Sequence, residues 1–164
     1  MKTLSVKQPW ASLICSGIKD IENRTWPTKF RGRVLIHASQ SKLSPVNVLS
    51  LEQKKIVKDA GLWASCALPE YLGAIIGSVE IVDCVQNNSS IWAERSGPKS
   101  IDYLKQTYNW VLANPVLFNR PIENVKGKLS FWDYPNVFQC KGCNHILDDK
   151  VKGDIDGYCC LCDI

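Results

Sequence analysis

The spacing of apolar and polar residues predicts a series of short strands along the chain. Residues 73–85 are rich in Ile and Val, which indicates a long strand that is buried. Shorter apolar stretches of the same kind recur before and after it. The predicted strands are residues 2–6, a stretch ending near residue 24, and residues 34–38, 73–85, 108–112 and 128–132.

Two helices are predicted between these strands. The first begins at Pro9, because proline suits the first helical turn, and ends at Gly17, because glycine suits the C-terminal cap. Its apolar face has the spacing i, i+3, i+4: Trp10, Leu13 and Ile14. A Ser-Pro pair at residues 44–45 predicts a second helix that ends near residue 60. Short strands with interspersed helices favour a small mixed or barrel-like sheet over a parallel α/β sheet.

Length and composition limit the kind of protein. The chain of 164 residues can hold one sizeable core and a small appendage, and its apolar content of 45% is ordinary for a globular protein. No apolar run is long enough to cross a membrane, and the first residues do not resemble a signal peptide. Three cysteines lie among apolar residues, which fits a reducing compartment: Cys15, Cys66 and Cys84. We therefore expect a cytoplasmic protein without a membrane partner.

The net charge of +4 is unevenly distributed. Residues 1–136 contain 17 Lys and Arg against 11 Asp and Glu, whereas residues 137–164 contain 3 against 5. A basic main domain and an acidic tail follow from these counts. The basic part is compatible with a nucleic-acid partner, although many proteins of this charge bind none.

The tail contains four cysteines with the spacing of a zinc site. Cys140 and Cys143 form one C-x2-C pair, Cys159 and Cys162 form another, and fifteen residues separate the pairs. Such pairs each wrap one tight turn around a metal, and four thiolates leave no open position for water. We therefore predict one structural Zn²⁺ per chain, in a zinc ribbon that also offers a surface for a protein partner.

Other interpretations of the tail remain open. The thiols could form disulfides or have no role, and the fifth thiol, Cys160, could replace Cys159 as a ligand. His145 is expected to be exposed, because four thiolates already fill the metal site. The shift in composition near Pro135 predicts a boundary between a main domain, residues 1–136, and a zinc-ribbon extension, residues 137–164.

A polar motif follows the first predicted helix. Residues 17–24 fit G-x-K-x-x-E-x-R. If residues 20–24 are extended, Glu22 and Arg24 share a face and can form an ion pair. The guanidinium of Arg24 could then also bind a phosphate or carboxylate. Lys19 is three residues from Glu22, so simple strand alternation would place its side chain on the opposite face. It lies beside Glu22 and Arg24 only if the turn after Gly17 redirects it. The alternative is a buried Glu–Arg pair that only orients the fold, with Lys19 in solvent.

This motif and its flanks resemble the ASCH domain, which is named for its homology to a transcriptional coactivator. The resemblance covers roughly residues 1–134 and rests on residues 4–10 before the motif, residues 32–39 after it, and the later Trp110-Val111-Leu112, Lys126-Gly127 and Phe131-Trp132. It implies an α+β fold: a small PUA-like β-barrel with flanking helices, related to a module of RNA-modifying enzymes. It does not imply the zinc tail. With the motif, it implies a ligand-binding role for Lys19, Glu22 and Arg24.

Several other residues are weaker candidates for ligand binding. Gln8 and Trp10, at the start of the first helix, could hold a base by hydrogen bonding and stacking, although Trp10 could equally be a core residue. Trp26 precedes a run of cations that suits a nucleic-acid strand or a solvated loop: Lys29, Arg31 and Arg33. His37 is expected to be a buried structural histidine.

Two classes of function fit these observations. The leading hypothesis is a binding module whose cleft holds RNA, a nucleotide or a nucleoside. The alternative is a hydrolase, because one bacterial branch of the ASCH superfamily deacetylates 4-acetylcytidine with a Lys, a Thr and a Glu. Lys19 and Glu22 are then the candidate catalytic residues, but Glu22 stands where that branch has Thr; Glu94 is a candidate for the third residue. Ribonuclease activity, also reported in the family, would use Lys19 and Arg24 to stabilise phosphate charge.

Overall fold

The structure, a computed structural model, describes residues 1–63, 71–97, 106–135, 137–139 and 146–148. Within these ranges the chain forms eight strands and three helices. Their order is β1 (Lys2–Gln8), α1 (Trp10–Cys15), β2 (Ile21–Arg24), β3 (Gly32–Lys42), α2 (Pro45–Val48), α3 (Leu51–Asp59), β4 (Ala74–Val85), β5 (Tyr108–Ile122), β6 (Phe131–Asp133), β7 (Val137–Gln139) and β8 (Ile146–Asp148). No helix in the described ranges is long and apolar enough to cross a membrane.

Six strands form one mixed sheet in the order β2-β5-β4-β3-β1-β6, and β7 pairs with β8 separately. In the large sheet β1 and β3 are parallel, while the other neighbouring strands are antiparallel. The predicted α+β class is therefore confirmed. The predicted barrel is not closed, because no ladder joins the short edge strands β2 and β6 in the described part of the chain.

A side chain bridges the sheet where backbone pairing is missing. Arg24, the last residue of β2, donates from Nη2 to the carbonyl oxygen of Ser5 on β1 at 2.9 Å. The β6 ladder on β1 ends at Leu4, so this carbonyl lies just beyond the last backbone pair. Arg24 therefore links β2 to β1 by a hydrogen bond from its side chain.

Alternating residues of the central strands build apolar clusters on both faces of the sheet. Val34, Ile36 and Ile76 belong to one cluster, which α1 covers with Ala11, Ile14 and Cys15. Leu35 and Ile75 face the other side, where they pack with Phe118, Val125 and Trp132. A third cluster joins α2 and α3 to α1 and β2: Leu13, Ile21, Leu49, Val57 and Trp92. This third cluster positions the two helices beside the G-x-K-x-x-E-x-R motif.

Two of the differences between the predicted and the observed elements have a clear local cause. The helix expected from residue 44 to about residue 60 is two helices, because Ser50 starts α3 with its own capping box to Gln53. The strand expected at residues 108–112 continues to Ile122. Its register against β4 shifts between Ala113 and Val116, so Pro115 lies in a bulge and does not end the strand.

His37 is a buried structural histidine, as predicted. Its Nδ1 lies 3.2 Å from Ser5 Oγ, and its Nε2 lies 2.9 Å from the carbonyl oxygen of Val125. The Val125 carbonyl can only accept, so Nε2 carries the proton, and neutral Nδ1 accepts from Ser5 Oγ. Gly127 lies against this ring, and a Cβ there would be 2.5 Å from His37 Cε1. Burial lowers the pKa of His37, with the Val125 hydrogen bond opposing it.

We expect acid to destabilise the fold through His37. Its pKa is lower in the folded state, so the unfolded chain binds more protons below its own pKa of about 6.5. The full stability contribution is thus present above about pH 6.5 and is lost as pH falls through the folded pKa. Urea unfolding between about pH 7.5 and 5 should show this decline. A His37→Gln variant should show a flatter profile, and an equal slope in both proteins would contradict this role of His37.

Candidate functional site

The turn between α1 and β2 directs Lys19 into the protein. Gly17 takes a φ of 81°, and the N–H groups of Ile18 and Lys19 both donate to the carbonyl of Leu13 at 3.0 Å. Lys19 is only 4% exposed. The turn therefore brings Lys19 to the side of Glu22, although simple strand alternation would place the two on opposite faces.

Glu22 lies between two cations. Its Oε2 is 3.2 Å from Lys19 Nζ, and its Oε1 is 3.1 Å from Arg24 Nε. The predicted pairing of Glu22 with Arg24 is confirmed, as an ion pair whose Nε is not aligned for a hydrogen bond. Lys19 Nζ also donates to the carbonyl of Ile21. The motif thus forms one buried charge cluster in which a single carboxylate compensates two cations.

Arg24 continues this cluster towards aromatic side chains. Its guanidinium lies 5.2 Å from the centre of the Trp26 ring, and Trp26 meets Trp110 edge to face at 5.8 Å. The indole N–H of Trp110 donates to the carbonyl of Trp26 at 3.2 Å. Arg24 and Trp26 are therefore held in place by the fold itself, and neither lines the pocket on the other side of Glu22.

This pocket, of about 220 Å³, lies beside the Lys19–Glu22 pair. It is lined by residues of both predicted helical regions, of the motif and of the loop after β4: Trp10, Lys19, Glu22, Asn23, Val48, Gln53, Trp92 and Glu94. Trp10 and Trp92 meet edge to face with their ring centres 6.4 Å apart. Aromatic walls with a few charged groups suit a flat polar molecule of the size of a nucleobase.

Asparagines fix the loop of residues 86–97 against β2. Asn23 donates from Nδ2 to the carbonyl of Trp92 at 2.8 Å, and its Oδ1 accepts from the N–H of Glu94 at 3.1 Å. Asn109, which is fully buried, donates to Asn23 Oδ1 at 2.9 Å and to the carbonyl of Glu94 at 3.0 Å. Both Trp92 and Glu94 are therefore positioned by these contacts before any ligand arrives.

Gln53 fixes α3 against the same loop. Its Nε2 donates to the carbonyl of Ile91 at 2.9 Å, while its Oε1 accepts from the N–H of Ser50 in the capping box. Four lining residues are not predicted from the sequence: Gln53, Asn23, Val48 and Trp92. Only Gln53 carries a local signal, the S-x-x-Q pattern that begins at Ser50. Asn23 is an unspecified position within the motif, and Val48 and Trp92 become neighbours of Lys19 only in the folded chain.

Besides Arg24 and Trp26, two more predicted ligand-binding residues lie outside the pocket. Gln8 is buried and fixes the first turn of α1, since Nε2 donates to Ser12 Oγ at 2.8 Å and Oε1 accepts from the N–H of Ser12 at 3.1 Å. Arg33 pairs with Glu80 at 2.8 Å across the β3–β4 ladder, away from the pocket. The Asn114 amide and Arg33 together hold the pKa of Glu80 below its usual range. The structure therefore brings together Trp10, Lys19 and Glu22 from the predicted set.

The predicted zinc ligands lie outside the described residues: Cys140, Cys143, Cys159 and Cys162, with Cys160 and His145. Strands β7 and β8, which flank the first C-x2-C pair in sequence, form an antiparallel hairpin with Gln139 opposite Ile146. Among the residues that the structure does describe, no group of His, Cys, Asp or Glu could hold a metal. Cys15 is a buried free thiol, and burial raises its pKa well above the usual range.

Comparison with known proteins points to one family. The family model for the ASCH domain matches residues 4–122. Activating signal cointegrator 1 is 39% identical over 83 residues in Homo sapiens and 36% identical over 83 residues in Mus musculus. Each match covers 50% of this chain but only 14% of the relative. A crystal structure of a mutant ZmASCH protein from Zymomonas mobilis is 17% identical with a TM-score of 0.48, over 82% of this chain and 90% of that one.

Proposed function

Because the chain belongs to the ASCH domain family, we propose that it is an RNA-binding module whose pocket holds one nucleotide. The observation that carries the proposal is the buried Lys19–Glu22 pair beside the Trp10–Trp92 wall. A nucleobase offers a flat apolar body, carbonyl acceptors and amino donors. Lys19 can donate to a base carbonyl, while Glu22 can accept from a base amino group.

The base, and not the phosphate, is the part of the nucleotide that suits this pocket. Two carboxylates, Glu22 and Glu94, line it with one cation, Lys19. Counting Arg24 behind Glu22, two cations stand against two carboxylates, Glu22 and Glu94, so no excess positive charge remains for an anion. A cytosine ring has an amino group beside the acceptors N3 and O2, and a guanine ring has an amino group and a ring N–H beside the acceptor O6. Either ring therefore offers donors to the carboxylates and an acceptor to Lys19.

Nucleoside binding tests the proposal directly. In titration calorimetry with cytidine, guanosine, uridine and adenosine, we expect at least one nucleoside to bind. A Trp10→Ala variant should lose about 1–3 kcal/mol of binding free energy, and Lys19→Met should lose a similar amount. Arg120→Gln is the control, because Arg120 is exposed on β5 and does not line the pocket. Binding that survives both pocket changes would reject the proposal.

A second candidate function is the hydrolysis of a modified nucleoside amide. It is favoured by one observation, that Lys19 and Glu94 line the same pocket. Water would add to the acetyl carbonyl of 4-acetylcytidine, and cytidine and acetate would leave. Glu22 stands in place of the Thr in the family branch with this activity, and its carboxylate is engaged by two cations. Incubation with 4-acetylcytidine, followed by chromatography for cytidine, distinguishes an enzyme from a binding module.

In this proposal the tail binds a structural metal ion. The β7–β8 hairpin that flanks Cys140 and Cys143 supports it, because a C-x2-C pair in a hairpin loop can turn both thiolates towards one ion. Zn²⁺ held by Cys140, Cys143, Cys159 and Cys162 would fix the acidic ribbon as a separate surface, which could contact a protein partner.

A further inference from the structure

The Lys19–Glu22 pair offers a ligand one hydrogen-bond donor beside one acceptor. Lys19 Nζ and Glu22 Oε2 lie 3.2 Å apart, and both residues line the pocket. An ammonium group has three N–H donors, and in the described part of the chain Glu22 Oε2 and the carbonyl of Ile21 accept from two of them. An oxygen of an ionised carboxylate has about two acceptor sites, so Oε2 keeps one after it accepts from Lys19. The pair can therefore bind two neighbouring groups of one ligand.

The order of this donor and this acceptor is fixed. An ammonium group only donates and an ionised carboxylate only accepts, whereas an amide or a hydroxyl group can do both. The Glu22 carboxylate is also held from behind, since Arg24 Nε lies 3.1 Å from Oε1 and Arg24 Nη2 donates to the carbonyl of Ser5. The Lys19 and Glu22 side chains are only 4% and 10% exposed, which leaves them little room to exchange places. A ligand must therefore present an acceptor to Lys19 and, on a neighbouring atom, a donor to Glu22.

The Watson–Crick edge of a base meets this requirement. Cytosine has the acceptor N3 beside its N4 amino group, and guanine has the acceptor O6 beside its N1–H. On the other side of the cytosine amino group lies a C–H group, and the Hoogsteen edge of guanine has two acceptors, O6 and N7, and no donor. Guanine N2 and N3 also form a donor–acceptor pair, but N3 lies next to the attached ribose. The Watson–Crick edge is therefore the accessible edge of both bases that fits the Lys19–Glu22 pair.

We infer that the pocket reads the Watson–Crick edge of a cytosine or guanine, so that its ligand is an unpaired nucleotide. This ligand class rests on the proposed function of the pocket. Lys19 donates to cytosine N3 or guanine O6, and Glu22 Oε2 accepts from cytosine N4 or guanine N1. A base pair uses the same groups, so a base inside a duplex cannot bind. The pocket therefore selects free nucleosides and the bases of loops and single strands, and it rejects bases that are modified on this edge.

Neutral nucleoside analogues that are altered on one edge at a time test this ligand class with the wild-type protein. N4,N4-dimethylcytidine and 1-methylguanosine lack the donor of the Watson–Crick edge, and 3-deazacytidine lacks the acceptor N3. The matched controls are 5-methylcytidine and 7-deazaguanosine, which are altered only on the Hoogsteen side of the ring. In titration calorimetry the first three should bind about 10-fold to 100-fold more weakly than their parent nucleosides, because each loses a hydrogen bond to a charged group. The two controls should bind like their parents.

A Lys19→Met variant tests which side chain meets N3. This variant keeps the ion pair of Glu22 with Arg24. It should bind cytidine and 3-deazacytidine equally, because the donor to N3 is gone, and it should still distinguish cytidine from N4,N4-dimethylcytidine through Glu22. Arg120→Gln, at an exposed position outside the pocket, should keep the discrimination of the wild type. A preference for cytidine over 3-deazacytidine that persists in Lys19→Met would contradict the contact of Lys19 with the base edge.

Two RNA hairpins test whether the base must be unpaired. Both have the same stem of C–G pairs and a loop of abasic nucleotides, and the loop of the first hairpin also contains one cytidine. The first hairpin should compete with cytidine for the protein. The second should not compete, because pairing covers the Watson–Crick edge of every base in its stem.

The results that would contradict this ligand class differ from those that would contradict the pocket itself. If 5-methylcytidine and 7-deazaguanosine lose as much affinity as the other analogues, or if the Watson–Crick analogues lose none, the pocket does not read this edge. Equal competition by both hairpins overturns the need for an unpaired base, and binding of adenosine or uridine alone overturns the choice of bases. In all these cases a nucleoside still binds, so the pocket stands. A wild-type protein that binds no nucleoside overturns the proposed function and the ligand class with it.

Discussion

Replacing Glu22 with alanine is expected to destabilise the protein by about 3–5 kcal/mol, because it removes the shared partner of two cations. Lys19, at 4% exposure, would then keep the carbonyl of Ile21 and the ring of Trp10, whose centre lies 5.6 Å from Nζ. Arg24 would keep its hydrogen bond to Ser5 but lose its carboxylate. Urea unfolding gives the loss as a shift of the midpoint at constant slope. The same change should abolish nucleoside binding, since Glu22 lines the pocket.

Glu80→Ala is the matched control for this prediction. Glu80 also pairs with an arginine, Arg33 at 2.8 Å, which lies on the neighbouring strand. The Glu80 side chain is 33% exposed, against 10% for Glu22. Its removal should cost about 1 kcal/mol or less, because solvent screens the charge that is left. A Glu22→Ala cost no larger than that of Glu80→Ala would mean that Lys19 reaches solvent in the variant.

The double variant Lys19→Met/Glu22→Ala separates stability from function. Removing Lys19 as well takes away the buried charge that Glu22→Ala leaves without compensation. The double variant should therefore unfold at a higher urea concentration than Glu22→Ala alone. It should still fail to bind a nucleoside, because the two side chains proposed to hydrogen-bond the base, Lys19 and Glu22, are gone. If the charge cluster serves ligand binding, the double variant should recover stability but not nucleoside binding.

The sequence predicted those parts of the site that depend on local geometry. Strand alternation places Glu22 and Arg24 on one face, and Gly17 is the residue that permits the turn before them. Strand alternation alone could not predict the position of the Lys19 side chain. That position depends on the turn, in which backbone N–H groups donate to the carbonyl of Leu13. Trp92 and Val48 reach the pocket through contacts between elements distant in sequence.

The features of the fold that the sequence did not predict also depend on contacts between residues distant in sequence. The long strand of residues 73–85 was recognised because a run of Ile and Val is a local signal. The full length of β5 was not, because Pro115 marks an end unless pairing with β4 absorbs it as a bulge. The open edge between β2 and β6 is also a property of the whole sheet. A family resemblance predicts a barrel, but the reach of Arg24 to Ser5 is visible only in the folded chain.

Removing zinc is expected to have the largest effect on the tail. We expect purified protein to hold about one zinc per chain, and apparent binding free energies of structural zinc are about 10–16 kcal/mol near pH 7. Either a strong chelator or Cys143→Ser should therefore unfold mainly residues 137–164. The first 136 residues have three apolar clusters of their own, so the unfolding midpoint of the main domain should change little. Metal analysis measures the zinc content, and far-UV circular dichroism before and after chelation measures the loss of structure.

Cobalt substitution in cysteine variants tests which thiols bind the metal, including the fifth thiol, Cys160. Co²⁺ in a tetrahedral site of four thiolates should give intense visible absorption, which Cys143→Ser should weaken or abolish. Cys160→Ser should leave the spectrum unchanged if Cys159 is the ligand, whereas Cys159→Ser should then remove it. The reverse result would assign Cys160 as the ligand. Protein prepared without chelator that contains neither zinc nor bound cobalt would refute the metal site.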